Sequence, residues 1–375
     1  MTTNMTKKTA YYLVSTPLHL LVSLAVALSR RDEEVAKLFF VAQEADNRRM
    51  DFFRESMQAW QNSPFVDTKT FFRPSGKGWD KVASRKRLFE ELKSDVGAFK
   101  PERVYVGNDR HLEFQWIMHQ TRELGVKVQG IYLDEGLYTY VGRKASKRFS
   151  DRVIDDWLKK LVYGFWWQTP PTIGGSRWID EMIVAYPDWV TPLLKEKVAE
   201  PLQSSWFEDK RLQEMTQAWL RSFAIDQTRL AHCQLVLTLP ETNDMRQVPG
   251  YELEARDLLT RLSSNGWQIG VKYHPKDLEN DVLSVLSLPG VFEIPANVPF
   301  EVILPSLPAN CFVLGDMSTT ILTTRLFRPS VQVMVMQLGE SSGHFDQFLG
   351  FYERLGLTPK KLPELVESLG VTKRT

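Results

Sequence analysis

The chain has 375 residues, more than one ordinary hydrophobic core organises, so two domains are expected. Hydrophobic residues make up 43% and charged residues 25%, the balance of a folded protein and not of a disordered one. A formal net charge of +1 provides no polyanion-wrapping surface and excludes nucleic acid as an expected partner.

Lys7 and Lys8 precede an apolar stretch from Ala10 to Leu28 whose Ala25-Val26-Ala27 imitates a secretory leader. Pro17 and His19 interrupt that run, and Arg30 and Arg31 follow the apparent cleavage point, where positive charge hinders translocation. The expectation is instead a strand over Tyr11 to Ser15, a turn at Thr16-Pro17 and a helix through about Leu28. Strands are expected next near Leu38 to Val41, Val104 to Val106 and Val126 to Leu133. Helices fall between them, around Arg48 to Gln61, Lys81 to Phe99 and Leu112 to Leu124.

From Phe149 to Ile225 the pattern resists simple assignment, and seven of the eleven tryptophans lie there: Trp157, Trp166, Trp167, Trp178, Trp189, Trp206 and Trp219. Short apolar runs then resume at Gln234 to Leu239, Gln268 to Tyr273, Val291 to Glu293, Cys311 to Leu314 and Val331 to Val335. Strands alternating with helices imply parallel sheets. The expected class is α/β, with two Rossmann-like lobes facing a deep cleft, the GT-B architecture. The lobes are placed at 1–225 and 226–375, and the last helix is a candidate to pack back onto the first lobe.

Cys233 and Cys311 sit in or beside apolar runs without CxxC or Cys/His spacing, so buried free thiols are expected and no metal site. In open parallel sheets ligands bind beyond the carboxyl ends of strands. Three such ends stand out: Asp134-Glu135-Gly136, His274-Pro275 and Ser318-Thr319-Thr320. A carboxylate, an imidazole and a hydroxyl cluster opening a helix are the parts required to transfer a group from a phosphate leaving group.

This ordered set resembles the bacterial sialyltransferases, which share an Asp/Glu-Asp/Glu-Gly motif, a His-Pro motif and a Ser-Ser/Thr motif in that order. Pro299-Phe300-Glu301 resembles the family's short segment before the last motif, whose Glu holds the ribose of CMP. The resemblance spans most of the chain. It implies an inverting, metal-independent transfer of sialic acid from CMP-sialic acid to a hydroxyl of a surface glycan, such as lipooligosaccharide, capsule or polysialic acid. Asp134 would be the general base, with Glu135 the alternative, and His274 the general acid. Pro275 would fix the direction of the His274 ring, and Ser318, Thr319 and Thr320 would bind the donor phosphate. Two other readings stay open: a transferase using another CMP-linked ulosonic acid or activated sugar, and a non-catalytic glycan-binding protein that retains the fold.

Thr16 and His19 follow the first strand and resemble the amino-terminal turn of related sialyltransferases; they either face the cleft or serve the local helix start. Asn108 either contacts acceptor hydroxyls or forms a turn. The tryptophan-rich segment reads as core, as a stacking platform for sugars, or as an edge resting on a membrane. The run Arg143, Lys144, Lys147, Arg148, Arg152, Lys159 and Lys160 beside it suits either an anionic inner-membrane surface or a solvated helix face. A cytoplasmic location, peripheral to that membrane, is the corresponding expectation.

Overall fold

The computed structural model describes residues 6–43, 47–73, 78–142, 157, 159–223, 225–277, 281–340 and 346–371. The chain divides into two compact units, Met1–Leu212 and Gln213–Thr375. The division precedes the 225/226 boundary, so most of the helix Lys210–Ser222 groups with the second unit. Within that unit Gln217 Nε2 donates to Ser306 Oγ at 2.7 Å.

The first unit is built on a seven-stranded parallel sheet. Its strands are β1 (Lys8–Val14), β2 (Glu34–Gln43), β3 (Phe65–Arg73), β4 (Arg103–Val106), β5 (Gln129–Leu133), β6 (Glu181–Val184) and β7 (Val198–Pro201). Their order across the sheet is β3-β2-β1-β4-β5-β6-β7, and every neighbouring pair runs parallel. The helices that matter for the site are α1 (Pro17–Ser29), α2 (Asn47–Ala59), α3 (Gly78–Phe99), α4 (Leu112–Glu123) and α5 (Leu137–Val141).

Helix α1 is buried from Leu18 through Leu28. A helix apolar all round belongs in a core, and this burial accounts for the leader-like composition of the segment. Strands β3, β6 and β7 were not expected. β3 mixes Asp67, Lys69 and Arg73 with its apolar residues at the sheet edge, β7 is largely exposed at the opposite edge, and β6 and β7 both fall in the tryptophan-rich stretch that resists simple assignment.

At the amino end of the sheet, Glu34 opens β2 and is buried. It accepts from Arg103 Nη1 at 2.6 Å, Tyr105 Oη at 2.6 Å and Tyr12 Oη at 2.9 Å. The two tyrosine rings stack with centroids 4.1 Å apart. A buried carboxylate is tolerated here because charge-assisted bonds replace its water.

The tryptophan-rich segment is largely core: Trp166, Trp167, Trp178 and Trp219 are buried. Trp178 Nε1 donates to the Trp166 carbonyl at 3.1 Å, and the Arg122 guanidinium lies 4.8 Å from the Trp178 ring centroid. Trp157, Leu161 and Phe165 are exposed, at 60%, 60% and 75%. Lys159 Nζ lies 5.2 Å from the Trp167 ring centroid. Arg143, Lys144, Lys147, Arg148 and Arg152 lie outside the described residues. Among the described residues no helix is long and apolar enough to cross a membrane.

The second unit carries a five-stranded parallel sheet ordered β10-β9-β8-β11-β12. Its strands are β8 (Leu235–Thr238), β9 (Ile269–Lys272), β10 (Val291–Glu293), β11 (Phe312–Gly315) and β12 (Gln332–Val335). Leu237, Leu258, Leu262 and Val271 centre its core. Leu365 of the last helix, Leu362–Ser368, joins that core with Leu369 and Val371. The last helix packs against the helix Tyr251–Ser264 of its own unit. Cys233 and Cys311 are buried free thiols.

Candidate functional site

In the first unit the candidate residues collect where β1, β4 and β5 end. Gly136 follows β5 with φ 103° and ψ −141°, a backbone conformation that favours glycine, and starts α5. That turn folds α5 back onto the carboxylate of Asp134. Asp134 Oδ1 accepts from the Gly136 amide at 2.8 Å and Thr139 Oγ1 at 3.1 Å. Its Oδ2 accepts from the Tyr140 hydroxyl and from the Ala185 amide at 2.9 Å.

Four donors fill a carboxylate's ordinary acceptor capacity. Asp134 is 4% exposed, and burial raises its pKa while the four donors oppose the rise. Glu135 projects differently: its side chain is 13% exposed, with Oε2 3.9 Å from His19 Nε2.

Thr16 caps α1, its hydroxyl accepting from the His19 amide at 3.1 Å. His19 is 4% exposed, and its Nδ1 lies 3.1 Å from Ser15 Oγ. Burial lowers its pKa to about 4, so the ring is neutral at physiological pH. The ring packs on Gly107, where a Cβ would lie 2.4 Å from it. His19 therefore bridges the ends of β1, β4 and β5, while Thr16 serves the helix start.

Asn108 makes a turn: its Oδ1 accepts from the Arg110 amide at 3.1 Å, and its carbonyl accepts from the His111 amide at 3.3 Å. Its neighbour Asp109, which sequence reading passed over, is fully buried and accepts from the amides of Gly174 at 2.8 Å and Ser176 at 2.7 Å. It ties the β4 end to the tryptophan-rich segment. No local signal marks it, since its partners lie more than sixty residues away.

In the second unit His274 and Pro275 follow β9. The Lys276 amide donates to His274 Nδ1 at 3.3 Å, which leaves the proton of the neutral ring on Nε2. Partial burial lowers the His274 pKa, opposed first by the charge of Asp277.

Ser318 N-caps the helix Thr319–Phe327 after β11, and its hydroxyl makes no capping bond. Its carbonyl accepts from Tyr352 Oη at 2.5 Å. Thr319 and Thr320 open the helix, their carbonyls accepting from the hydroxyls of Thr323 and Thr324 at 2.5 and 2.8 Å. An uncapped helix start with spare amides suits an anion. Just before it, the buried Asp316 accepts from Tyr251 Oη at 2.8 Å, and burial pushes its pKa up to about 7.

Glu301 stands in the first turn of the short helix Phe300–Ile303 behind the cap Pro299. Lys272, at the end of β9, is buried and donates to the carbonyls of Pro295 at 3.4 Å and Ala296 at 3.3 Å. Burial lowers the Lys272 pKa to about 8, against the opposing charges of Glu301 and Glu293. Among the described residues no group of three His, Cys, Asp or Glu side chains is set to hold a metal ion.

No family model and no curated protein matches the sequence. The fold is shared with solved structures at low identity. An α/β-galactoside α-2,3-sialyltransferase from the luminous marine bacterium Photobacterium phosphoreum is similar with a TM-score of 0.58 at 12% identity, covering 95% of this chain and 99% of that one. The UDP-GlcNAc 2-epimerase of Methanocaldococcus jannaschii is similar with a TM-score of 0.53 at 12% identity, covering 98% and 94%. The UDP-GlcNAc 2-epimerase of Neisseria meningitidis bound to UDP-GlcNAc has a TM-score of 0.50 at 12% identity, covering 97% and 91%. Two parallel-sheet α/β lobes of the GT-B fold are thereby established for this chain.

Proposed function

We propose that the chain is an inverting glycosyltransferase that moves a sugar acid, sialic acid first, from its CMP-linked donor to a hydroxyl of a surface glycan. One observation carries this reading. Asp134-Glu135, His274-Pro275 and Ser318-Thr319 each stand at the carboxyl end of a parallel strand, β5, β9 and β11, in the order of the motifs they match. The fold alone does not separate transferases from UDP-sugar epimerases; these residues favour the transferase.

In the proposed reaction the acceptor oxygen attacks the anomeric carbon and passes its proton to the carboxylate pair as the bond to the CMP phosphate breaks. Asp134 is the first candidate base, because burial raises its proton affinity, but it must release one of its four donors to take the proton. Glu135, its neighbour, with Oε2 3.9 Å from His19 Nε2, is the alternative. His274 would donate to the departing phosphate from Nε2, Pro275 limiting the backbone beside it. Ser318, Thr319, Thr320 and the first amides of their helix would hold the phosphate, and Glu301 the ribose.

The exposed Trp157, Leu161 and Phe165 beside Lys159 and Lys160 support a cytoplasmic enzyme resting on the anionic inner-membrane surface; absence of flotation with anionic liposomes would refute that part. Incubation with CMP-sialic acid, other CMP-linked ulosonic acids and UDP-GlcNAc over a galactoside panel tests the chemistry. CMP release with an inverted product, assigned by NMR, is the expected result. Turnover of UDP-GlcNAc alone would overturn the reading, and binding without turnover would favour a glycan-binding protein.

A further inference from the structure

We infer that Asp277 is a positioning residue for His274: anchored to the chain after β8, it keeps one carboxylate oxygen for the imidazolium that His274 must become to act as an acid. The inference deepens the transferase reading and rests on it for the acid role of His274.

His274 leaves β9 into a tight turn. The Asp277 amide donates to the His274 carbonyl at 2.9 Å, with Pro275 and Lys276 as the central residues. Two bonds fasten this turn to the segment after β8. Asp277 Oδ1 accepts from the Thr242 amide at 3.0 Å, and Lys276 Nζ donates to Glu241 Oε2 at 3.0 Å. β8 pairs with β9 on one side and β11 on the other, so the anchor of Asp277 stands between the strand end that carries His274 and the one that leads to Ser318.

The present partner of the ring suits only its neutral form. Nδ1 accepts from the Lys276 amide at 3.3 Å. An imidazolium carries a proton on both nitrogens, so Nδ1–H would meet the Lys276 N–H donor against donor and must find an acceptor. Asp277 has one to spare. Its Oδ2 is buried and, among the described residues, without a hydrogen-bond partner, a state that calls for an explanation. Oδ1 stays with Thr242, so the second oxygen takes Nδ1–H without loosening the anchor.

The surrounding charges leave this role to Asp277. Lys276 and Glu241 act on His274 with opposite signs and are paired with one another, while Asp244 acts from the short helix Thr242–Arg246. Asp277 is the foremost charge opposing the effect of partial burial on the ring. During transfer Nε2 gives its proton to the departing phosphate oxygen, which keeps the electron pair of the broken bond to the anomeric carbon, and Nδ1 retains its own proton toward Asp277. Reprotonation of Nε2 from solvent restores the acid.

The test is a pH titration of the His274 ring by nitrogen-resolved NMR, in the whole chain without donor or acceptor. In the wild type the neutral ring should hold its proton on Nε2, and below the pKa the Nδ1 proton should lie downfield and exchange slowly, as a proton held by a carboxylate does. Asp277→Asn retains an oxygen for the Thr242 amide, so the melting temperature should hold while the His274 pKa falls by about one pH unit. Glu241→Gln and Asp244→Asn should each lower it less. An unchanged pKa in Asp277→Asn, a larger fall in either control, or a rapidly exchanging Nδ1 proton in the wild type overturns the inference. Donor is absent throughout, so the transferase reading stands or falls separately on CMP release.

Discussion

The Tyr140 hydroxyl and the Ala185 amide both donate to one oxygen of Asp134, so the residue after β5 is clamped from α5 and from the end of β6. That clamp shapes the first prediction. Asp134→Asn replaces two acceptor sites with an amide N–H₂ that faces donors, and it should cost about 2–4 kcal/mol of stability as well as about 10²–10⁴ in kcat. Glu135→Gln should keep its melting temperature and lose less than about tenfold in kcat, short of the usual loss for a general base. Thermal unfolding and steady-state rates on both variants decide the matter, and the reverse ranking of kcat assigns the base to Glu135.

His274 should titrate differently with and without donor. Desolvation holds its pKa below the ordinary histidine value in the unliganded protein, and a bound phosphate anion favours the imidazolium. Activity needs the protonated acid, so the rate falls as pH rises through that pKa. The alkaline limb of kcat should therefore lie at higher pH than that of kcat/KM, since the two report the bound and free enzyme. NMR titration of the His274 ring with and without CMP checks the same shift directly.

Asp316 makes stability depend on pH. Its pKa is pushed up from 3.8 to about 7 by burial, so the folded state holds a proton that the unfolded state releases near pH 4. The stability this group contributes is complete below about pH 4 and is lost as pH rises through about 7, a change of at most ~4 kcal/mol. Asp316→Asn keeps an acceptor for Tyr251 and removes the ionisation. Urea denaturation at pH 5 and pH 8 should show the variant gaining more on the wild type at the higher pH.

Glu34 offers a contrast, because it lies at the amino end of the sheet, away from the strand ends that carry the candidate site. Glu34→Ala strands Arg103, Tyr105 and Tyr12 around an uncompensated site and should cost about 3–5 kcal/mol. The folded variant should keep its donor and acceptor KM, measured well below its melting temperature.

Gly107 is required by a close approach and not by its backbone angle. An alanine Cβ would meet the His19 ring at 2.4 Å, and that ring cannot retreat within a packed core without disturbing its approach to Glu135. Gly107→Ala should cost about 1–3 kcal/mol. Loss of the wild-type His19 ring shifts in NMR spectra would report the displacement.

The strands that stand out in sequence are the buried central ones. Tyr11 to Val14 and Leu235 to Leu237 are apolar on both faces because helices cover both sides of a parallel sheet, and such runs need no partner to be noticed. The edge strands β3 and β7 carry polar or exposed residues, and β6, though internal to the sheet, lies in the tryptophan-rich stretch whose pattern resists assignment. Missing β6 hid the Ala185 amide that fixes Asp134.

What the sequence determined by itself was the α/β class, the two-lobe plan and the three strand-end motifs, because burial of a central strand and a residue's place after it are local properties of the chain. Tertiary structure decided which of those residues are accessible and which are held. Asp134 and Glu135 are adjacent in sequence, yet donors from α5 and from the end of β6 enclose the first and His19 faces the second. Three of the donors to Asp134 are its own near neighbours, but the Ala185 amide that completes the set and the His19 ring that faces Glu135 come from fifty and more residues away, and no local pattern encodes that distance.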